Sequence, residues 1–475
     1  MLKFCRGGFG NQKEYLTSSS IKSNLMRSCI WITLESTRYD HTSFDSGRDT
    51  TPFLSKLSKS NDAVSFPDCH SHDIWTRSST ASILTGLSPS QHRTWHNNAA
   101  LPETIRTIPE AFQDAGYKTV GVSPIAQFSP STGLDKGFTK FHDISAGTIT
   151  DTVPLRGLFR YLMKIRKESA GFTTDTGKHT TGPLNTEIVK KHIRKSESPL
   201  FIYTHLSDAH HPYYPPRDYR NFFNDDLPIP ILDALELTME VSENLHEYIA
   251  TQQLTEDQLE SLRVLYDLCI RFTDDLVEEI VTEARTHLDN PLVVVTADHG
   301  EQFGEEGLLA HMLIPNRAVT HIPMVVSGLD LPTTELVQPA DVMAAITSEL
   351  EIDHKVPAGK DPRDEHRKFA ITEHSGERSC KKLDYISESS DIFDVSKFSR
   401  KDVVSIRTEK WRFQTDGNES VLRTSGENPA EDKEVATELA SLINKWREEN
   451  PQRNTSARAD FSESQRKQLS DLGYL

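Results

Sequence analysis

The stretch Val293-Val294-Val295-Thr296-Ala297-Asp298-His299-Gly300-Glu301 constrains this chain most, because an apolar run delivers an Asp-His pair into a glycine-containing turn. Opened by Pro291 and closed by Gly300, the run reads as a buried strand of a parallel sheet. Open α/β sheets carry their chemistry at the carboxyl ends of such strands. Neighbouring residues on a strand face opposite ways, whereas on a turn Asp298 and His299 can converge on one cation. A lone Asp-His pair reads more readily as a solvated loop, so partner motifs elsewhere must decide.

The remaining pattern supplies them. Cys29 to Leu34 reads as a first buried strand ending in Glu35-Ser36-Thr37-Arg38, and Thr51-Pro52 opens a helix with Thr as cap. Phe66 to Trp75 is a strand-like run that turns into a helix at Thr76, stopped at Gly86. A helix over Ile108 to Ala115 and a strand over Lys118 to Val122 follow. Leu200 to Thr204 is another central strand, running into His205-Leu206-Ser207-Asp208-Ala209-His210-His211. Leu262, Leu265, Leu268, Phe272, Leu276 and Ile280 recur at helical spacing, which predicts one long helix over Thr255 to His287. A strand over Ile322 to Val326 and a helix near Asp341 to Leu350 complete a βαβ rhythm. The fold class it implies is α/β, a large, mainly parallel (mixed) sheet sandwiched by helices.

A chain of 475 residues accommodates such a domain and an appendage. The reading divides it into a polar N-terminal extension (1–27), a main α/β domain (28–361) with an insertion or lid at about 143–185, and a smaller C-terminal α+β subdomain (362–475). The last contains short strands near Val403 to Arg407 and Lys410 to Gln414 and a helix over Glu431 to Glu448. The net charge of −17 argues against a nucleic-acid partner. Five cysteines without Cys-x-x-Cys spacing indicate neither a disulfide framework nor a zinc ribbon, and fit a reducing compartment. Met1 to Arg27 has no apolar core of a signal peptide, and no later run is long enough to span a bilayer. The expectation is a soluble, cytoplasmic protein whose oligomeric state the sequence leaves open.

Glu35, the Asp208/His210/His211 group and Asp298/His299 each end an apolar strand, and Thr76 sits where a strand-like run becomes a helix. In a parallel sheet these ends share one edge, so residues far apart in sequence can meet. With Leu34 to Asp40, Trp75 to Leu87, Leu200 to Pro216, Thr296 to Glu305 and the closing Leu469 to Leu475, the chain resembles the sulfatase branch of the alkaline phosphatase superfamily from about residue 28 onward. The resemblance implies an alkaline-phosphatase-like fold and an ester hydrolase. Sulfatases carry a Cys or Ser that is oxidised to formylglycine. Thr76 stands at that position, Ser78 at the following Pro and Thr80 at the Arg, so no formylglycine is expected.

Glu at the first strand, Thr as nucleophile and Asp-His at the late strand are similar to the ligand set of lipoteichoic acid synthases and phosphoethanolamine transferases. That likeness implies a divalent ion held by Glu35, Asp298, His299 and Thr76 Oγ, with Mn²⁺ or Zn²⁺ preferred over Ca²⁺ or Mg²⁺. A cation lowers the pKa of a Thr hydroxyl, and the helix start offers backbone N–H groups to an anion; Thr76 also suits an N-cap. The alternative for Glu35 is a surface carboxylate paired with Arg38. His210 and His311 are candidates for binding substrate oxygens or protonating the leaving group, or are loop histidines; His205 and His211 read as supporting or structural. Arg77 and Asn97 are candidate substrate contacts, Asn97 at a position where phosphonate monoesterases place one, with solvated Arg and a plain loop amide as the alternatives. Asp208 orients a histidine, binds a second metal or, ranked first, is structural. The expected function is hydrolysis of a small-molecule, glycan or lipid sulfate or phosphate ester, phosphate favoured. The alternatives are phosphotransfer to a glycan or lipid acceptor and, last, an inactive binding module.

Overall fold

Six consecutive buried residues, Cys29 to Leu34, need apolar cover on both faces and hydrogen-bonding neighbours on both edges. In the computed structural model, which describes residues 26–144, 153, 155–169, 178–333 and 336–471, this segment is the centre of a seven-stranded sheet. The strands are β1 (Cys29–Leu34), β2 (Ala63–Ser65), β3 (Lys118–Ser123), β4 (Lys140–Asp143), β5 (Leu200–Leu206), β6 (Leu292–Ala297) and β7 (Met324–Ser327). They lie in the order β2-β7-β6-β1-β5-β3-β4. β1 runs parallel to β5 and β6, and β7 alone runs antiparallel to its neighbours β6 and β2. The sheet is therefore mixed and mostly parallel.

Register decides where the chemistry lies. Leu34 stands opposite Leu206 on one side and Ala297 on the other, so three central strands end flush. The next residues, Glu35, Ser207 and Asp298, leave the sheet at one level. Helix α1 (Thr76–Thr85) approaches that edge, while α2 (Gly182–Arg194) and α3 (Glu256–His287) pack together. α3 opens with the capping box of Thr255 and Gln258 and buries Leu262, Leu265, Leu268, Phe272, Leu276 and Ile280 along one stripe. Lys190–Glu279 and Arg194–Glu283 ion pairs join it to α2.

Two expectations change. The run Ile322 to Val326 is not one strand: His321–Ile322 pairs with Cys69 and His70, and β7 begins at Met324. Pro323 between them has no N–H to give a ladder, and its carbonyl accepts from Thr296 Oγ1 at 2.8 Å. Residues 1–25 of the expected extension and 145–152, 154 and 170–177 of the expected lid lie outside the described residues. The last lid residues belong to the core instead, because Asn185 in α2 donates to the His205 carbonyl (2.7 Å) and accepts from Thr204 (2.5 Å).

The C-terminal subdomain is an antiparallel sheet of β8 (Ala370–His374), β9 (Val403–Arg407), β10 (Trp411–Thr415) and β11 (Ser420–Thr424), with helices α4 (Gly376–Ser389) and α5 (Lys433–Glu449). Ile371, Ile406, Phe413, Leu439 and Ile443 form its own small core. β8 is bonded onto the main domain just before α1: Glu373 N–H donates to the His72 carbonyl at 2.9 Å and Thr372 Oγ1 to the Ser71 carbonyl at 2.7 Å.

Gly86 ends α1 with φ at 68°, and a Cβ there would stand 2.8 Å from the Val356 backbone. Gly86→Ala adds left-handed strain to a backbone clash, so it should destabilise the fold by about 2–4 kcal/mol. Urea unfolding should show a lower midpoint at unchanged m-value; an unmoved midpoint would contradict the assignment. A second expectation concerns Glu373, whose carboxyl is pushed up to about 7 by burial although it accepts from Ser90 N–H at 3.0 Å. Its folded pKa lies above the unfolded value, so the stability it contributes is full below the unfolded pKa and lost as pH rises through about 7. Relative to the native protein, Glu373→Gln should gain on the order of 1–3 kcal/mol between about pH 5 and 8, read from denaturation midpoints across that range.

Candidate active site

Beyond Leu34 the backbone stays in the ladder for one more bond, Glu35 N–H to the Leu206 carbonyl at 2.9 Å, then turns through Ser36, whose φ is 54°. The Ser36 N–H (3.1 Å) and the His299 N–H (3.0 Å) both donate to Asp298 Oδ1. One carboxylate thus ties two strand ends together. Glu35, Asp298 and His299 are all buried, so the surface ion pair with Arg38 is not where Glu35 lies. Arg38 bonds Asp40 and Glu305 instead.

Thr76 is the first helical residue of α1, and the capping position is Trp75; the N-cap expectation is corrected by one residue. The Thr76 hydroxyl lies 3.1 Å from Glu35 Oε1 and 3.2 Å from His299 Nε2. His299 Nδ1 donates to the Gly300 carbonyl at 2.8 Å, which in the neutral ring leaves Nε2 with its lone pair toward Thr76. The structure therefore brings Glu35, Thr76, Asp298 and His299 together. It adds His205, whose Nε2 lies 3.4 Å from Glu35 Oε2. Burial opposes protonation of His205, but the Glu35 carboxylate outweighs it and raises its pKa. Burial likewise penalises the Glu35 carboxylate, yet the histidines His210, His205 and His299 hold it below the usual range.

Whether these groups suit a divalent cation can be judged from their buried oxygens. Glu35 Oε2 and Asp298 Oδ2 are both buried without a hydrogen-bond partner, and donor atoms of Glu35, His205 and Asp298 all lie within 4.8 Å of one another. Two buried carboxylates facing each other cost several kcal/mol unless a cation joins them. The donor set of carboxylate oxygens and imidazole nitrogens fits a divalent metal ion.

Beside this cluster stand His210, His211 and His311. Ring centroids lie 4.4 Å apart for His299 and His311, 5.3 Å for His210 and His311 and 4.2 Å for His210 and His211. Burial is the main cause that lowers the pKa of all three, so the neutral rings are favoured. Asp208 Oδ1 accepts from the N–H groups of Thr181 (3.1 Å) and Gly182 (3.2 Å) at the start of α2.

Arg77 and Asn97 meet each other beside α1. Arg77 is buried, donates to Gln127 Oε1 at 2.8 Å and to the carbonyls of His96, Asn97 and Ala99, and stacks over Trp75 and Phe461. None of these contacts involves the carboxylate cluster; they clamp the 96–99 segment onto α1. Asn97 is half-buried and meets Arg77 through its carbonyl. The cation the sequence did not point to is Arg378 on α4, whose guanidinium lies 3.5 Å from the centre of the Trp75 ring. One turn on, Lys382 acts electrostatically on Glu301, His211 and His311. The i, i+4 spacing of Arg378 and Lys382 was the available signal; nothing in the sequence placed their helix here.

A family model described as Sulfatase matches residues 27–348. The chain is 23% identical over 260 residues to the "Uncharacterized sulfatase YidJ" of Escherichia coli (strain K12), covering 52% of each chain, so it spans about half the length of the curated relative it matches. Its fold is similar to that of the phosphonate monoester hydrolase of Agrobacterium radiobacter, with TM-score 0.65, 16% identity and 89% and 96% of the two chains covered. It is likewise similar to a protein solved in complex with its substrate D-glucosamine-2-N,6-O-disulfate, with TM-score 0.65, 13% identity and 90% and 99% coverage. The match over most of the main domain, joined to the strand-end cluster described above, settles the kinship: the chain belongs to the sulfatase family.

Proposed function

We propose that this protein is a divalent-metal-dependent hydrolase of phosphate or sulfate esters, phosphate favoured, with Thr76 as its nucleophile. The observation that carries the reading is the Thr76 hydroxyl, buried at the start of α1 between Glu35 Oε1 and His299 Nε2. Family membership and the likeness of fold to a phosphonate monoester hydrolase support an ester hydrolase. A Thr in place of the formylglycine precursor supports direct attack by a hydroxyl and, with it, phosphate esters.

Glu35, Asp298, His299 and His205 would hold the cation, which supplies the Lewis acidity that makes a Thr hydroxyl acidic enough to attack. Glu35 Oε1 points an acceptor at the Thr76 proton and so orients the lone pair of Oγ1. Attack forms a bond from Oγ1 to phosphorus or sulfur as the ester oxygen departs, and the Thr76 proton leaves by way of Glu35 Oε1. His210 and His311 stand beside the cluster, where a neutral ring that takes up the proton released by Thr76 can return it to the departing oxygen. Water then cleaves the ester on Thr76 and restores the hydroxyl. The N–H groups of the first turn of α1, which have no partner within the helix, favour the anion.

Thr76→Ala should lower kcat by about 10³-fold or more while leaving thermal unfolding and metal content unchanged; full turnover in this variant would remove Thr76 from the mechanism. Rates on p-nitrophenyl phosphate, its phosphodiester and p-nitrophenyl sulfate, with and without added Mn²⁺ or Zn²⁺, test the rest. The expected result is metal-dependent cleavage with a phosphate ester preferred. Faster sulfate cleavage would reverse the substrate assignment, and transfer to an added alcohol in excess of hydrolysis would favour the phosphotransferase alternative.

A further inference from the structure

We propose that the helix Leu155–Lys164 lays its outer face on an anionic lipid surface. This helix carries two apolar faces where packing needs one. Leu158 and Tyr161 turn inward against the main core, and Ile165, just past the last turn, is buried. Phe159, Leu162 and Met163 stand at i, i+3 and i+4 on another face and remain 66%, 50% and 70% exposed. They are three of the eight large apolar side chains exposed among the described residues, and the other five are scattered from Phe222 to Val421. A contiguous exposed apolar stripe marks a contact surface.

Charge selects the partner. The chain has a net charge of −17, yet from Arg156 to Lys167 it holds five basic residues and no acidic one. Arg160 and Lys164 flank the stripe; they pair with Glu187, Glu279 and Glu168, and both side chains stay 40% exposed. Arg166 and Lys167 follow and are exposed. Cations beside an outward stripe of Phe, Leu and Met are the pattern of a helix lying in the headgroup plane, apolar face toward the acyl chains and cations against lipid phosphates. No helix among the described residues is long and apolar enough to cross a membrane, so the contact is peripheral. A second copy of the chain suits the stripe less. The three side chains offer on the order of 300 Å² of apolar surface, against about 800 Å² per partner in a stable protein interface. Pairing across a two-fold axis would also bring like charges together.

The position of the helix gives such contact a use. The Glu168 carbonyl accepts from Thr180 Oγ1 at 2.6 Å, and the Thr181 N–H donates to Asp208 Oδ1 at 3.1 Å. These bonds tie the helix to the segment that follows β5, on the edge of the sheet that holds the candidate site. A molecule resting on Phe159 and Met163 therefore holds that edge near the headgroups. Lipid contact here does not depend on which ester Thr76 attacks.

The test is co-sedimentation of the full chain with vesicles of phosphatidylcholine containing about one third phosphatidylglycerol, and with vesicles of phosphatidylcholine alone. We expect binding to the anionic vesicles about tenfold tighter or more, weakened by added salt. Phe159→Ser combined with Met163→Ser should lower it by about tenfold or more while thermal unfolding stays unchanged. No co-sedimentation with anionic vesicles, or equal binding by the native and double-serine chains, would overturn the proposal. A native dimer in sedimentation velocity that the double substitution splits, with no vesicle binding, would overturn it as well and give the stripe to a second copy. Should the double-serine chain unfold, Phe159→Trp puts the same question with an apolar side chain retained. Its emission, less that of the native chain, should move to the blue with anionic vesicles, and an unmoved spectrum counts against lipid contact.

Discussion

The flush ending of three parallel strands is the constraint on which the rest depends. With Leu34 level with Leu206 and Ala297, Glu35 and Asp298 leave the sheet side by side and almost fully buried. Burying two carboxylates together is unfavourable, and the structure offsets it with what surrounds them: two backbone N–H groups on Asp298 Oδ1, histidines around Glu35 and two oxygens left open to a cation. A register slip of one residue would turn this edge inside out. The apolar run that makes β6 a good core strand and the polar pair that ends it are therefore parts of one design.

Helix α1 meets that edge with its first turn. Its N-terminal position gives Thr76 a hydroxyl within hydrogen-bonding distance of both strand ends, and its C-terminal Gly86 lets the chain turn closely beneath Val356. Trp75, immediately before the helix, is held by Arg77 on one contact and Arg378 on another. The nucleophile candidate is thus fixed by packing on both sides of the peptide that carries it, which is what preorganised attack requires.

Much of this was legible in the sequence because it rests on local signals. Buried strands announce themselves as apolar runs, their ends as Glu35 and Asp298-His299, and the long helix as a stripe from Leu262 to Ile280. What could not be read depends on partners distant in the chain. Arg77 looked available for an anion, yet the carbonyls of residues 96–99 take up its guanidinium. His205 read as a supporting or structural residue beyond the strand; its place opposite Thr33, one step before the flush line, is a matter of register. Pro323 was the visible sign that Ile322 to Val326 would divide between two sheets. Arg378 and Lys382 belong to a subdomain whose docking no periodicity reports.

The stitching of β8 onto Ser71 and His72 carries a consequence for biosynthesis. By the time a ribosome has released the chain through Leu350, every donor of the strand-end cluster has already been made, yet the segment leading into Trp75 and Thr76 still lacks the strand that braces it. The last quarter of the polypeptide thus acts as a keystone, and assembly of the centre waits on a part of the protein that contributes none of its carboxylates.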